Sequence, residues 1–204
     1  LVSGENPEIA DFIQSIQAKT LNDKQGNSSV DVVGACVSIK SLATPAGLNL
    51  TKDALLAFDI ELNGRSVHEG PNLRREAGHI FLTGATGFFG SFLLKDLLST
   101  TQATIHCLVR ANDVKSGQQR IVDTLTKYDI PLSHSEKNRI KTIPGDLTKS
   151  HLGLETEQFY ELANTMDLII HNGASVNYVD SYQTLKQPNV FGSHEVIRLS
   201  CLQR

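Results

Sequence analysis

Three glycines at three-residue spacing, Gly84, Gly87 and Gly90, close the run His79-Ile-Phe-Leu-Thr-Gly-Ala-Thr-Gly-Phe-Phe-Gly90. The apolar stretch His79 to Thr83 reads as a buried strand that breaks at Gly84, and an amphipathic helix starts near Phe88. In that context each glycine has its own task. Gly84 lets the chain leave the strand in a tight turn, Gly87 removes a Cβ where backbone must approach a pyrophosphate, and Gly90 lets the helix pack closely on the strand. The unpaired N–H groups and partial positive charge of a helix N-terminus then hold the phosphates. The alternative, a merely flexible glycine loop, would not need a strand before it and a helix after it. Phe89, Leu93 and Leu97, recurring every four residues with Phe92 beside them, predict the buried stripe of that helix.

The remaining candidates fall at the ends of further strands. Thr104 to Val109 is rich in residues that favour strands, and it ends at Arg110, about 20 residues beyond Gly90. The adenosine ribose of a dinucleotide lies beside that strand end. An acid there accepts from a 2′-hydroxyl, whereas an arginine accommodates a 2′-phosphate, so Arg110 points to NADP(H). An arginine that simply ends a strand is the plainer alternative. Arg139 to Ile143 reads as a third strand leading into Gly145-Asp146-Leu147, a helix follows over 155–163, and Asp167 to His171 reads as a fourth strand. That strand delivers His171-Asn-Gly-Ala-Ser175 to the same end of the sheet, where small Gly173 and Ala174 let a ribose and nicotinamide pass close to backbone. His171, at a strand end, reads as a structural hydrogen-bonder rather than a general base. The alternation of strands and helices gives the fold class: α/β, the N-terminal (cofactor) part of a Rossmann-like doubly wound parallel sheet. The strand order is 3-2-1-4, preceded by a helical and irregular N-terminal segment.

Gly-x-x-Gly-x-x-Gly, with Thr83 and Thr86 around the first glycine, is the form carried by short-chain dehydrogenase/reductases, particularly the extended ones. The run TGATGFFG, followed by CLVRA (Cys107 to Ala111) and HNGASVNY (His171 to Tyr178), resembles the thioester reductase domains that end some nonribosomal peptide synthetases, polyketide synthases and carboxylic acid reductases. Fatty acyl-CoA reductases are close relatives of these. The resemblance covers residues 72–204, with three motifs in the right order. It implies hydride transfer from NADPH to a carrier-bound acyl thioester, which leaves as an aldehyde or alcohol. It also implies a cofactor site at Gly84, Thr86, Gly87, Phe88, Phe89, Gly90, Arg110, Arg120, Asp146, Leu147, Gly173, Ala174 and Ser175. Arg120 matches a second family arginine near the same phosphate, and Asp146 the acid that meets the adenine edge, with a plain turn as its alternative.

Reductases of this superfamily use Tyr-x-x-x-Lys, two side chains one helical turn apart, in which the lysine ammonium lowers the tyrosine pKa. Tyr182-Gln-Thr-Leu-Lys186 has that spacing. It precedes Asn189-Val-Phe-Gly-Ser193, however, whereas the family's catalytic pair follows that motif, past a fifth strand. Pro188 is also expected to interrupt any helix holding both side chains. The pair therefore reads as structural, with no catalytic residue within the chain and the catalytic half expected beyond Arg204. On that view the fourth strand is an apolar sheet edge, and the isolated chain is expected to self-associate and to bind cofactor weakly.

At 204 residues with 40% hydrophobic content the chain can bury one sizeable core. Its net charge of −3, with scattered Lys and Arg, gives no field favouring nucleic acid or an acidic membrane. No apolar run approaches the roughly 20 residues of a membrane helix. Three separated cysteines, Cys36, Cys107 and Cys201, suit a reducing cytoplasm, and Cys107 in an apolar strand reads as a core residue. The chain opens on Leu1 and its single methionine is Met166, so it reads as an internal piece of a longer protein. Asn6-Pro7 opens a helix with Ile9, Phe12, Ile13 and Ile16 on one face. Residues 1–19 thus read as a docking helix or, by resemblance, as the last helix of a phosphopantetheine-bound acyl carrier domain, the expected upstream partner. Residues 20–71 read as linker and packing segment, in which Lys52 to Leu62 is expected to pack on the domain, and 72–204 as the NADP-binding part. A fatty acyl-CoA reductase and a non-catalytic nucleotide-binding or interaction module are the alternatives.

Overall fold

A computed structural model describes residues 50–56, 60 and 76–202, which fall in the unit Asn49–Arg204. The readings made for residues 1–49, 57–59 and 61–75 lie outside the described residues. In chain order the elements are α1 (Leu50–Asp53), β1 (His79–Thr83), α2 (Phe88–Thr100), β2 (Thr104–Val109), α3 (Val114–Lys127), α4 (His134–Asn138) and β3 (Ile140–Pro144). A 3-10 turn (Ser150–Gly153), α5 (Thr156–Thr165), β4 (Leu168–His171), α6 (Tyr182–Lys186), a π-helical turn (Gln187–Phe191) and α7 (Gly192–Cys201) follow.

The four strands form one parallel sheet in the order β3-β2-β1-β4, as the sequence leads one to expect. Phe81 stands opposite His106 on one side and Ile169 on the other, so the strands' C-terminal ends align at Thr83, Leu108 and His171. Side chains alternate between the two faces. Ile80 and Leu82 point with Ile105, Cys107 and Val109 into a core closed by Leu94, Leu97 and Leu98 of α2 and Ile121 and Leu125 of α3. Phe81 and Leu108 point the other way, onto Phe159 and Leu162 of α5 and Val196 and Leu199 of α7. Each fully buried side chain of this kind contributes on the order of 1.5–3 kcal/mol. Burial pushes the Cys107 thiol up to about 12, as fits a core residue.

Two readings need correction. The buried residues of α2 are Gly90, Ser91, Leu94, Leu97 and Leu98; of the expected stripe Leu97 is buried and Leu93 packs half-buried on the core, but Phe89 and Phe92 do not. Phe89 is 65% exposed and Phe92 45%. Phe92 and Phe88 instead pack edge-on with each other, and Phe88 also packs edge-on with Tyr128. The helix is rotated because Gly90, having no Cβ, is the residue that touches the strand-end turn. Pro188, secondly, does not separate Tyr182 from Lys186. Both lie on α6, and the chain continues through the π-helical turn into α7 with Gln187, Phe191 and Gly192 still at right-handed helical angles. The wider π turn accommodates a residue that has no N–H and whose ring would crowd the preceding turn of a regular helix.

Candidate active-site cleft

Gly84 turns the chain out of β1 at φ +77°, a left-handed angle that glycine adopts without strain. A Cβ there would also lie 2.8 Å from the Gly173 nitrogen. Gly90 is closed by the same turn, since its Cβ would stand 1.9 Å from the Gly84 carbonyl oxygen. Gly87 differs. It is exposed, its Cβ would meet only the Gly84 oxygen at 3.3 Å, and it caps α2 with no side-chain hydrogen bond. The N-terminus of α2 thus presents backbone N–H groups at the C-terminal edge of the sheet without a carboxylate or hydroxyl to cap them.

The surrounding loops close this edge into a cleft of about 820 Å³. All thirteen residues picked from the sequence line it: Gly84, Thr86, Gly87, Phe88, Phe89, Gly90, Arg110, Arg120, Asp146, Leu147, Gly173, Ala174 and Ser175. Arg110 follows β2 directly and is exposed, and Arg120, on α3, donates from its guanidinium to the Arg110 carbonyl. Two cations therefore share one corner. A capping box of Asp113 and Ser116 starts α3 where Arg120 can reach back, Ser116 N–H donating to Asp113 Oδ1 at 2.7 Å. Asp146 has one carboxylate oxygen in a local turn, accepting from Thr148 N–H at 2.9 Å and from its hydroxyl at 2.8 Å. Gly173 is small for a reason internal to the protein: its Cβ would lie 2.7 Å from Leu147 Cδ1 and 3.0 Å from Thr83 Oγ1.

Two residues whose type carried no functional reading organise the wall around 172–176. Thr83, fully buried at the end of β1, accepts from Asn172 N–H at 3.1 Å and Gly173 N–H at 2.8 Å. Asn189, in the π-helical turn, brackets Ser175: its Oδ1 accepts from Ser175 N–H at 2.7 Å and its Nδ2 donates to Ser175 O at 2.9 Å. The signals in the sequence were Thr83 beside the first glycine of the motif and Asn189 at the head of Asn189-Val-Phe-Gly-Ser193, neither of which names a hydrogen-bond partner. His171 makes hydrogen bonds as expected, to Thr83 and Ser193, and burial holds its imidazole below the ordinary range.

Tyr182 and Lys186 lie beside the cleft, and both turn to Asp53. The Tyr182 hydroxyl donates to Asp53 Oδ2 at 2.9 Å and Lys186 Nζ to Oδ1 at 2.6 Å. Lys186 also lies 5.0 Å from the Phe191 ring centroid. Residue 53 belongs to the Lys52 to Leu62 segment, so its described part is tied to the domain, through charge and hydrogen bonding rather than apolar packing. Among the described residues no group of three or more His, Cys, Asp or Glu is placed to hold a metal ion, and no helix is long and apolar enough to cross a membrane.

Comparison with known proteins agrees with this geometry. An NAD-binding family described as Male sterility protein matches residues 82–204. A linear gramicidin synthase of Brevibacillus parabrevis is 43% identical over 149 residues, which is 73% of this chain and 3% of that protein. Aldehyde reductase lnaA of Aspergillus flavus is 43% identical over 136 residues, 64% of this chain and 13% of its own length. Among solved structures, the terminal R domain from the myxalamid PKS-NRPS biosynthetic pathway superposes with a TM-score of 0.69 at 36% identity, covering 76% of this chain and 39% of that one. The reductase domain of a nonribosomal peptide synthetase from Mycobacterium tuberculosis gives 0.55 at 29% identity, covering 76% and 34%. The chain thus spans well under half the length of each of these proteins. An uncapped helix N-terminus on a parallel sheet, a glycine turn that tolerates no Cβ, and these relatives lead to one conclusion: the chain belongs to the Male sterility protein family of nicotinamide-cofactor-binding reductase domains, alongside the terminal reductase domains of peptide synthetases.

Proposed function

We propose that this chain forms the NADPH-binding part of a reductase that releases a carrier-bound acyl thioester as an aldehyde or alcohol. The observation that carries the reading is the cleft itself. It joins an uncapped α2 N-terminus to a paired-arginine corner at the end of β2, 20 residues from Gly90. On this reading the α2 N–H groups hold the pyrophosphate against Gly87, and Arg110 with Arg120 holds a 2′-phosphate. Asp146 and Leu147 border the adenine, and Gly173, Ala174 and Ser175 border the ribose and nicotinamide. A cofactor held there would supply a hydride to the thioester carbonyl, the reduction that would part the acyl group from the carrier's thiolate. The partner is a phosphopantetheine-bound acyl carrier domain, in keeping with the peptide synthetases among the relatives.

Tyr182 and Lys186 are structural on this reading. A proton-donating tyrosine needs a lysine that lowers its pKa, whereas here Lys186 faces Asp53, and burial together with Asp53 pushes the Tyr182 phenol up. The test uses the protein that carries this chain and follows NADPH oxidation with an acyl-pantetheine thioester. Oxidation that depends on the thioester and yields aldehyde or alcohol supports the reading. A protein that binds nucleotide but oxidises no NADPH with any acyl thioester supports a non-catalytic module instead.

A further inference from the structure

Thr83 Oγ1 accepts two backbone N–H bonds, from Asn172 and Gly173. A hydroxyl has two lone pairs and one proton, so both lone pairs are occupied. The 2.7 Å contact between Thr83 Oγ1 and His171 Nδ1 therefore has Thr83 as donor and Nδ1 as acceptor. His171 is then neutral, with its proton on Nε2, which stands 3.2 Å from Ser193 Oγ. Ser193 passes the direction on, donating to the Asn189 carbonyl at 2.6 Å. Asn189 in turn brackets Ser175. Donation thus runs one way from Thr83 at the end of β1, through His171 of β4 and Ser193 of α7, and ends on the backbone carbonyl of Asn189, the residue whose side chain holds Ser175 at the cleft wall.

We infer that His171, held as its Nε2–H tautomer, is a positioning residue that fixes the Asn189–Ser175 bracket and so shapes the cleft wall at residues 172–176 for the cofactor. The inference rests on the proposed cofactor reading for its functional part and on the hydrogen-bond directions for its structural part. A proton on Nδ1 would face a hydroxyl whose lone pairs are already used, and one of the bonds to Asn172 or Gly173 would have to break. The groups that face the ring are Thr83 from β1 and Ser193 from α7. The charged and titratable neighbours on α7 are engaged elsewhere: Glu195 accepts from His151 N–H at 2.6 Å and pairs with Arg198 at 3.3 Å, while His194 packs on the Phe191 ring. Burial opposes the imidazolium in the same sense.

Two measurements on the protein that carries this chain decide it. Ring 15N NMR should show His171 protonated at Nε2 alone near neutral pH, and a proton on Nδ1 would overturn the lock. NADPH titration should give an affinity about 3- to 10-fold weaker for Ser193→Ala and for His171→Asn, the loss expected for one hydrogen bond. Ser193→Thr, which keeps the hydroxyl, should restore it. His171→Asn retains an acceptor for Thr83 but loses the reach to Ser193, so the two variants should match. Wild-type affinity in Ser193→Ala overturns the positioning role, and that variant stands even where His171→Asn does not fold. A wild-type protein that binds no NADPH defeats the cofactor reading instead, with the NMR result still deciding the tautomer.

Discussion

Lys186 Nζ lies 2.6 Å from Asp53 Oδ1, and this ion pair joins a short helix before the sheet to a helix beside the cleft. Both side chains are largely buried, at 20% and 12% exposure, and Tyr182 donates to the other carboxylate oxygen. The hydrogen bond from Lys186 holds the Asp53 carboxyl below its ordinary range. A pair with catalytic spacing is thereby turned toward a carboxylate. Tyr182→Phe should accordingly leave the turnover number within a few-fold, because a true proton donor contributes on the order of 10²–10⁴. Steady-state kinetics of the protein carrying this chain provide the check, and a loss of that size would make Tyr182 the donor.

Arg110 is the group on which cofactor choice is proposed to depend. A charge-assisted hydrogen bond to phosphate contributes about 1.5–3 kcal/mol, and NADH has no 2′-phosphate to receive it. Arg110→Ala should weaken NADPH binding by that amount and leave NADH binding nearly unchanged. The variant leaves in place the carbonyl to which Arg120 donates, so the second arginine keeps its anchor. Equal losses for both cofactors, measured by titration, would remove Arg110 from the phosphate site.

Strand pattern and glycine spacing made the sheet legible because both are local. Four short apolar runs were readable from strand propensity, and their order from the alternation of strands and helices in a Rossmann-like sheet, while the strand bounds moved by one residue at β3 and β4. The rotation of α2 was not legible, since Phe89 and Phe92 satisfy the helical period as well as Leu94 and Leu98 do. The choice between those stripes is made by Gly90 meeting the Gly84 turn, a contact between residues whose relation appears only after folding. The Asp53–Lys186 pair and the Asn189–Ser175 bracket were hidden for the same reason, as their partners are set by tertiary approach rather than by spacing. His151 and Leu152 are a further case: both take left-handed angles, φ +50° and +59°, in a turn with no asparagine and only the following Gly153 to announce it.

Acid should destabilise the domain in two successive windows that meet between about pH 4 and 4.5. His106 is pushed down to about 4 from 6.5 by burial first, then by the nearby His79 and Lys141. Below pH 6.5 the unfolded chain takes up a proton that the folded chain refuses, so stability falls until about pH 4. Glu136, held at about 2 by the hydrogen bond from Lys95 and then by the Ser133 backbone, contributes stability that is present above 4.5 and lost as pH falls to about 2. The urea midpoint measured against pH should show both declines. His106→Gln should flatten most of the upper one, leaving the part due to His171, and Lys95→Met should shrink the lower one. A midpoint constant from neutral pH to about 4 would refute the buried neutral His106.

Gly87 and Gly90, three residues apart in one motif, should fail in different ways. An alanine Cβ at Gly90 would stand 1.9 Å from the Gly84 oxygen and 2.7 Å from the Gly84 carbonyl carbon, both backbone atoms that no rotamer change can move. Helix α2 would have to shift off β1, and overpacking of this kind costs about 1–3 kcal/mol, occasionally more. Gly87 sits at φ −89° and ψ 169°, an extended conformation open to any residue, with its nearest clash only 3.3 Å away. Gly87→Ala should therefore cost about 1 kcal/mol or less in stability, the ordinary difference between glycine and alanine at an N-cap. It would, however, place a methyl group where the pyrophosphate is proposed to meet the α2 N–H groups. Thermal unfolding and NADPH titration of the two variants separate the roles. Gly90→Ala should lower the melting temperature, whereas Gly87→Ala should melt close to wild type and lose dinucleotide affinity. If Gly87→Ala binds NADPH as well as wild type, the phosphates do not lie against the start of α2.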